Sequence, residues 1–441
     1  MIIAALLLAS GCAKTTREQA TGKGSIRGIN AIVTSPELVF LIEERPIGNV
    51  NYKGIAGFAE WDDLRFNFNF DIILPGASQA QRIATEFLDV TADTEYTLVL
   101  TGTIDNPSIL MWNEPERVFD GTETVFEADF ANLSPQLGQV DIYFATEGTA
   151  PVLGNEIGTL DNGDRLPHRE FPAGDYELIV TAPGDPATVL FHSNSRSLPA
   201  ADRVTVALFD PDPTITAGIG ASIIFPSGSS VRLDDINSPP QIRMLHAAFG
   251  TANFDGFFNN DFGTVVFPDT GFGELSAYAD LTEQQTPLTL TPVGDIGTTI
   301  FTTDIQLLSN SRRTVALWGA PASLASLELN QDARPVSTFP LVRITNFSSN
   351  SSALDIYEVD PDTVLDDTVV ARFGGAPPGI STNFFNTGTG MREFLITNNG
   401  DKTPISAPLD LDLANGDVID AVILDTADPA TVELRVIDSI P

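Results

Sequence analysis

The 441-residue chain has a single cysteine, four lysines and no apolar run long enough to cross a bilayer. Each shortage excludes something. One cysteine, Cys12, leaves no intramolecular disulfide, so the folded parts are held by their cores. The lysines stand at Lys14, Lys23, Lys53 and Lys402. The second and third repeats described below have none, so lysine isopeptide crosslinks cannot staple every module. Positive charge is scarce overall: 23 Lys and Arg stand against 59 Asp and Glu, a net charge of −36. Such a surface repels phosphate backbones, which excludes nucleic acid as a partner; solubility alone explains the acidity. Long Ala/Leu/Glu/Lys stretches are missing, and only "GASQAQRIATEFL" from Gly76 has a helical look. No G-x-S-x-G elbow, phosphate-binding loop or H-E-x-x-H pair occurs, and no second cysteine is left as a nucleophile.

What is present points to folded β-structure. Apolar residues make up 42% and charged residues 19%, a globular balance. The 35 Gly and 30 Pro supply turns between many short strands. The length suggests roughly three or four domains.

The chain opens "MIIAALLLASGCAKTT". The apolar stretch is too short for a span, and small residues lead directly to Cys12, as in a cleaved export signal. This arrangement resembles the lipobox of bacterial lipoproteins, although Ala9 stands where Leu is usual and no Lys or Arg precedes the apolar run. The resemblance implies a signal peptide over 1–11, diacylglyceryl attachment at Cys12, and a polar tether over 12–24. With Ala13 rather than Asp after the cysteine, it further implies an outer-membrane address.

Four stretches then look alike: "IRGINA" from Ile26, "FEADFAN" from Phe126, "IRMLHAA" from Ile242 and "VRITNFS" from Val342. Each reaches a polar marker residue: Asn30, Asn132, His246 or Asn346. Nine residues later a second run begins, at Val39, Asp141, Asp255 and Asp355. A third run, such as "VTVAL" at Val204, and a fourth, such as "SVRLD" at Ser230, close each copy. Period-2 alternation, as in "RFNFNFDIIL", gives each strand one apolar and one wet face. Units of this size with several such strands suggest immunoglobulin-like β-sandwiches. The expected fold is all-β: four tandem antiparallel sandwiches over 25–113, 124–236, 240–333 and 340–441. The surplus length of the second is placed in a loop insertion at about 210–228. The joints Glu114–Glu123 and Arg334–Phe339 are short and imply limited bending. Four modules behind one anchor suit an arm with reach.

The combination "IRMLHAA", "DGFF" or "DIY", "PAGDYELIV" and "RTVALWG" resembles the bacterial domain-of-unknown-function family 4397. The likeness is clearest in the third copy (Ile242, Arg243, His246) and the second (Asp141, Ile142, Tyr143, Ala173, Gly174, Tyr176). In the first and fourth the histidine is replaced by Asn, and the first lacks the Asp. The resemblance implies tandem domains on secreted or lipid-anchored proteins and no established activity.

Four short polar side chains at one repeat position fit local loop bonding better than a metal, which could explain only His246. His168 and His192 lack metal-ligand spacing. The acidic stretch with Asp410, Asp412 and Asp417 resembles a calcium loop only loosely, since its Gly416 comes late and no Glu closes it; a solvated turn is the favoured reading. Trp61, Trp112 and Trp318 either stack on sugars or, the favoured reading, cap sandwich cores. No cofactor is expected. The reading that results is a non-enzymatic, lipid-anchored envelope protein, facing outward or into the periplasm, with modules for adhesion or a protein partner. The alternatives are a polysaccharide-binding lipoprotein and a glycoside-processing enzyme, which would need a carboxylate pair in a cleft at a module junction.

Overall fold

The computed structural model describes residues 19–282, 285–330 and 333–440. Cys12 and the signal-peptide reading lie outside the described residues. The first strand begins at Lys23, and just before it Thr21 and Gly22 donate their backbone N–H groups to Asp63. The expected tether therefore ends inside the first module. No helix occurs among the described residues. "GASQAQRIATEFL" contributes the edge strand Gln81–Asp89. Ile83, Ala84 and Leu88 pack on the first core, and on the exposed face the Arg65 guanidinium lies over Phe87, 5.5 Å from its ring centroid.

Eight sheets form four sandwiches, two sheets to each repeat. In repeat 1 one sheet runs Ile55–Asp62, Lys23–Asn30, Thr94–Gly102, Pro107–Pro115. The facing sheet runs Arg45–Val50, Leu38–Ile42, Arg65–Ile72, Gln81–Asp89. The pairing is antiparallel except at one place in each repeat, where the first run lies parallel to the third. Ile26 faces Tyr96, Val204 faces Ala128, Met244 faces Val315 and Ile344 faces Ala421. The two runs can be parallel because the chain crosses to the facing sheet between them.

Each sandwich closes over its own core. Phe40, Phe68 and Phe70 fill the first, and Phe126, Phe130, Phe144, Phe171 and Tyr176 form an aromatic cluster in the second. Gly28 shows how tightly the first is packed, since a Cβ there would lie 2.9 Å from the Phe40 ring. Only glycine leaves room for that ring.

The first and third runs differ from the expected strand with one wet face. Their outward sides are also buried, because the repeats pack in pairs through these sheets. In repeat 1, Ile26, Leu98 and Leu100 point into the core, while Ile29 and Val99 point into a seam shared with Ala131, Leu133, Ala207, Phe209 and Ile224 of repeat 2. Repeats 3 and 4 form the same kind of seam from Leu245, Ala247, Ala316, Phe347, Val422 and Leu424. Strands buried on both faces read as continuous apolar runs. "DAVIL" and "TVAL" are such runs. The modules are thus two face-to-face pairs, not four units strung along an arm.

The two pairs meet at a polar joint. Beside it, within the first pair, the insertion in repeat 2 holds repeat 1: the Asp212 carboxylate lies 2.7 Å from Lys53 Nζ, and the Asp210 carbonyl accepts from Tyr52 Oη at 2.6 Å. Thr216 and Ala217 donate their backbone N–H groups to Asn310 Oδ1 of repeat 3. The segment before repeat 4 returns to repeat 1: Arg334 donates to the Val33 carbonyl at 2.6 Å and Ser337 to the Thr34 carbonyl at 2.9 Å.

The insertion itself differs from the sequence reading. Gly220–Ile224 pairs with Arg203–Phe209 as Pro107–Pro115 pairs with Thr94–Gly102, so it is the regular fourth run of repeat 2. Ser230–Leu233, aligned as that run in the sequence, is an extra fifth strand at the edge. Burial gives the reason. Ala221 and Ile223 enter the core and Ile224 the seam, whereas Val231 and Arg232 face solvent.

Candidate functional site

The four marker residues end the first run of their repeats and are fully buried. Each accepts a hydrogen bond from the backbone N–H two residues on: Ile32 to Asn30 Oδ1 at 3.0 Å, Ser134 to Asn132 Oδ1 at 3.1 Å, Ala248 to His246 Nδ1 at 3.3 Å and Ser348 to Asn346 Oδ1 at 2.9 Å. Each also donates to a backbone carbonyl, of Val50, Gly138, Ala252 and Ala376 respectively, at a strand end or in a loop. A neutral imidazole with its proton on Nε2 does what the Asn amide does. Burial lowers the His246 pKa, against the bonds to Ala252 and Thr251, and so favours that neutral ring.

The repeat aspartates tie two turns together. Asp355 accepts from the Gly375 N–H at 2.7 Å and the Gly400 N–H at 2.9 Å. Asp255 accepts from Asp269 N–H and Gly294 N–H, and Asp141 from Thr159 Oγ1 and Gly184 N–H. Gly184, Gly294 and Gly400 all have positive φ, so each turn needs glycine as well as the carboxylate. Repeat 1 has Val39 in this place.

A second set of aspartates caps the loops after the markers. Asp210 accepts from Ser134 Oγ and Gln136 N–H, and Asp425 from Ser348 Oγ at 2.6 Å and Ser349 N–H at 3.0 Å. The available signal was Asn-x-Ser in repeats 2 and 4 alone.

The calcium candidates do not converge. Asp410 and Asp412 lie on the exposed face of strand Leu409–Leu413, and Asp417 accepts from the Ala414 N–H in the following turn. No group of three or more His, Cys, Asp or Glu with metal-binding geometry occurs among the described residues. Of the tryptophans, Trp112 packs in the first seam and Trp318 in the second, 6.2 Å from the Phe347 ring centroid. Trp61 packs edge-on against Phe66 on the first core.

The densest ionisable cluster lies in the seam of repeats 1 and 2. Glu114 accepts from Arg165 Nη2 at 2.7 Å, from Arg203 Nη2 at 3.1 Å and from His168 Nδ1 at 2.5 Å. Arg165 also pairs with the fully buried Asp129, and Arg203 with Glu95 at 2.7 Å. Burial alone would raise the Glu114 carboxyl. The His168 bond and the charges of His168, Arg165 and Arg203 outweigh it and hold the group at about 2. For Glu95 burial wins over Arg203 and the shift is upward. A bulge between Leu166 and Arg169 interrupts the strand carrying Arg165 and His168. These groups engage one another, and the arrangement is that of a seam fastener.

Cavities lie elsewhere. One of about 410 Å³ opens on repeat 3 over Phe258, Leu281 and Leu307, with Asp261 and Asp280 among its lining. One of about 250 Å³ lies at the joint, lined by Asn51, Tyr52, Ala333, Arg334, Val336 and Leu341. A smaller one, of about 160 Å³, lies between repeats 3 and 4 with Glu328 as its one carboxylate. Neither junction cavity is lined by a carboxylate pair of the kind glycoside hydrolysis uses.

No curated protein matches the chain. Among solved structures it is similar to the Bacillus anthracis TIE protein, at 10% identity over 92% of this chain and 69% of that one, with a TM-score of 0.16. It is also similar to a candidate cell adhesion protein from Parabacteroides distasonis, at 10% identity over 72% of this chain and 99% of that one, with a TM-score of 0.14. Superpositions this loose carry no argument. The family comparison is local and specific: residues 240–357 match the domain of unknown function DUF4397. The resemblance read from "IRMLHAA" and its partner motifs is therefore a family match over the whole third repeat and the opening of the fourth, as far as Tyr357.

Proposed function

We propose that this chain is a non-enzymatic, lipid-anchored protein of the bacterial outer membrane whose paired β-sandwich modules serve adhesion or contact with another envelope protein. The observation that supports it most is where the conspicuous polar groups are used. The seam cluster around Glu114, the turn aspartates and the marker residues all bond within the fold, and so brace a scaffold that presents its outer sheets and loops. Attachment through Cys12 is expected to be firm, since several acyl chains anchor where a single one is marginal. The polysaccharide reading is weaker, because Trp112 and Trp318 are committed to the seams.

Fractionation of cells expressing the native chain and a Cys12→Ser variant tests the anchor. The native chain is expected in the outer-membrane fraction and the variant in the soluble envelope fraction. A variant that stays with the membrane overturns the lipid-anchor reading.

A further inference from the structure

Arg334 stands at the joint cavity in an unusual electrostatic position. It lies between repeats 3 and 4 and contacts repeat 1. One Nη1 proton goes to the Val33 carbonyl, and the guanidinium lies over the Tyr52 ring, 5.3 Å from its centroid. No carboxylate pairs with it among the described residues, although the chain has more than twice as many acids as bases. The neighbouring Asp212 is occupied by Lys53 at 2.7 Å. A desolvated cation without an anion is costly, and burial lowers the Arg334 pKa accordingly. The remaining guanidinium donors have no acceptor among the described residues, and Arg334 borders the cavity of about 250 Å³. Its lining is mixed: Asn51 and Tyr52 stand on the repeat 1 side, and Ala333, Val336 and Leu341, the first two almost fully buried, form the apolar side.

We propose that this cavity is a binding site for an aliphatic monocarboxylate, with Arg334 receiving the carboxylate and Ala333, Val336 and Leu341 receiving the stem. A planar guanidinium matches a carboxylate with two parallel hydrogen bonds. A dianion such as phosphate is disfavoured, because Asp212 lies close behind and Glu37 is held by Asn51 at the rim. The volume falls below the roughly 300–1,000 Å³ of sites for drug-sized ligands, so the occupant is small. Two sources share this chemistry: a free short-chain acid, and the C-terminal carboxylate of a peptide ending in an aliphatic residue. Because the site joins repeat 1 to the segment before repeat 4, an occupant also tightens the joint between the two pairs.

The test is calorimetric titration of the purified chain with hexanoate against hexanamide, and with N-acetyl-leucine against its amide. The carboxylate of at least one pair is expected to bind about tenfold or more tighter than its amide, the scale of one charge-assisted bidentate contact. Preference confined to hexanoate assigns the free acid, and preference confined to N-acetyl-leucine assigns the peptide terminus. Arg334→Gln should abolish the preference and Arg334→Lys should keep part of it. Asn51→Asp, at an exposed rim position, should weaken the carboxylate and leave the amide unchanged, so the test survives a folding defect at Arg334. Equal binding of acid and amide in both pairs, no binding at millimolar concentrations, or a preference that persists in Arg334→Gln overturns the proposal.

Discussion

Arg27 of repeat 1 reaches across the first seam to Thr205 of repeat 2, where its Nη2 donates to the threonine Oγ1 at 2.9 Å. Its Nε donates to Thr97 Oγ1 at 2.8 Å on the neighbouring strand of its own sheet. One buried guanidinium therefore links two repeats through hydroxyls, with no carboxylate partner among the described residues. Burial lowers its pKa, and the charges of Asp129 and Glu95 oppose that.

Removing one partner of such a contact leaves a buried donor unmet. Thr205→Val is expected to cost about 1–3 kcal/mol. In a double-mutant cycle with Arg27→Met the two losses should fall short of additive by about 1 kcal/mol or more. Urea unfolding of the four proteins measures this, and strict additivity would show that the contact across the seam carries no coupling.

The turn aspartates should matter one repeat at a time. Asp355→Ala removes the acceptor for both Gly375 and Gly400. Two bonds to a buried carboxylate put the loss at about 2–4 kcal/mol. Hydrogen exchange should show faster opening at both glycines in repeat 4, with repeats 1 and 2 unchanged.

The seam of repeats 1 and 2 should be acid-sensitive. The Glu114 carboxyl is depressed in the folded chain from 4.5 to about 2. Its contribution is therefore complete above pH 4.5 and is lost as the pH falls from there towards 2. Glu95 shifts the other way, because burial disfavours its charge, and its protonation relieves a cost. Glu114→Gln is thus expected to be less stable than the native chain at pH 7, with the difference narrowing below pH 4.5. Denaturant midpoints across that range check the sign; a gap that widens on acidification would contradict it.

The contact between repeats 1 and 2 should weaken when the Lys53–Asp212 ion pair is cut. Burial raises the Asp212 carboxyl, but Lys53 and Thr214 together bring it below its ordinary range. Asp212→Ala leaves Lys53 half-enclosed and unpaired, which is costly. Urea unfolding should show a lower midpoint for the variant than for the native chain. An unchanged midpoint would show that the ion pair does not brace repeat 2 against repeat 1.

Much of the fold was legible from spacing alone. The nine-residue offset between marker and second run places the two runs on facing sheets in every repeat, and the 4397 motifs fall where the family match lies. The markers were readable because Asn and His at one position share only their capacity for local hydrogen bonds. Pairing was not readable in the same way. "DAVIL" and "VTVAL" show that both faces of a strand are apolar, but not which repeat covers the outer one. The seam cluster escaped for a related reason: Glu114, His168 and Arg203 are far apart in the chain and meet only when two repeats face each other. The fourth run of repeat 2 was misplaced because "ASIIF" follows an irregular loop rich in Pro and Gly, while "SVRLD" has the regular alternation of an edge strand.

The most direct test of the account is protease shaving of intact cells, followed by blotting for this chain with and without outer-membrane permeabilisation. A surface-anchored pair of module pairs predicts loss of the signal on intact cells, in resistant fragments the size of two repeats, since the seams are buried and the joint is polar. Protection of the intact chain on whole cells, with digestion only after permeabilisation, would contradict surface adhesion and leave contact with a periplasmic partner as the module function.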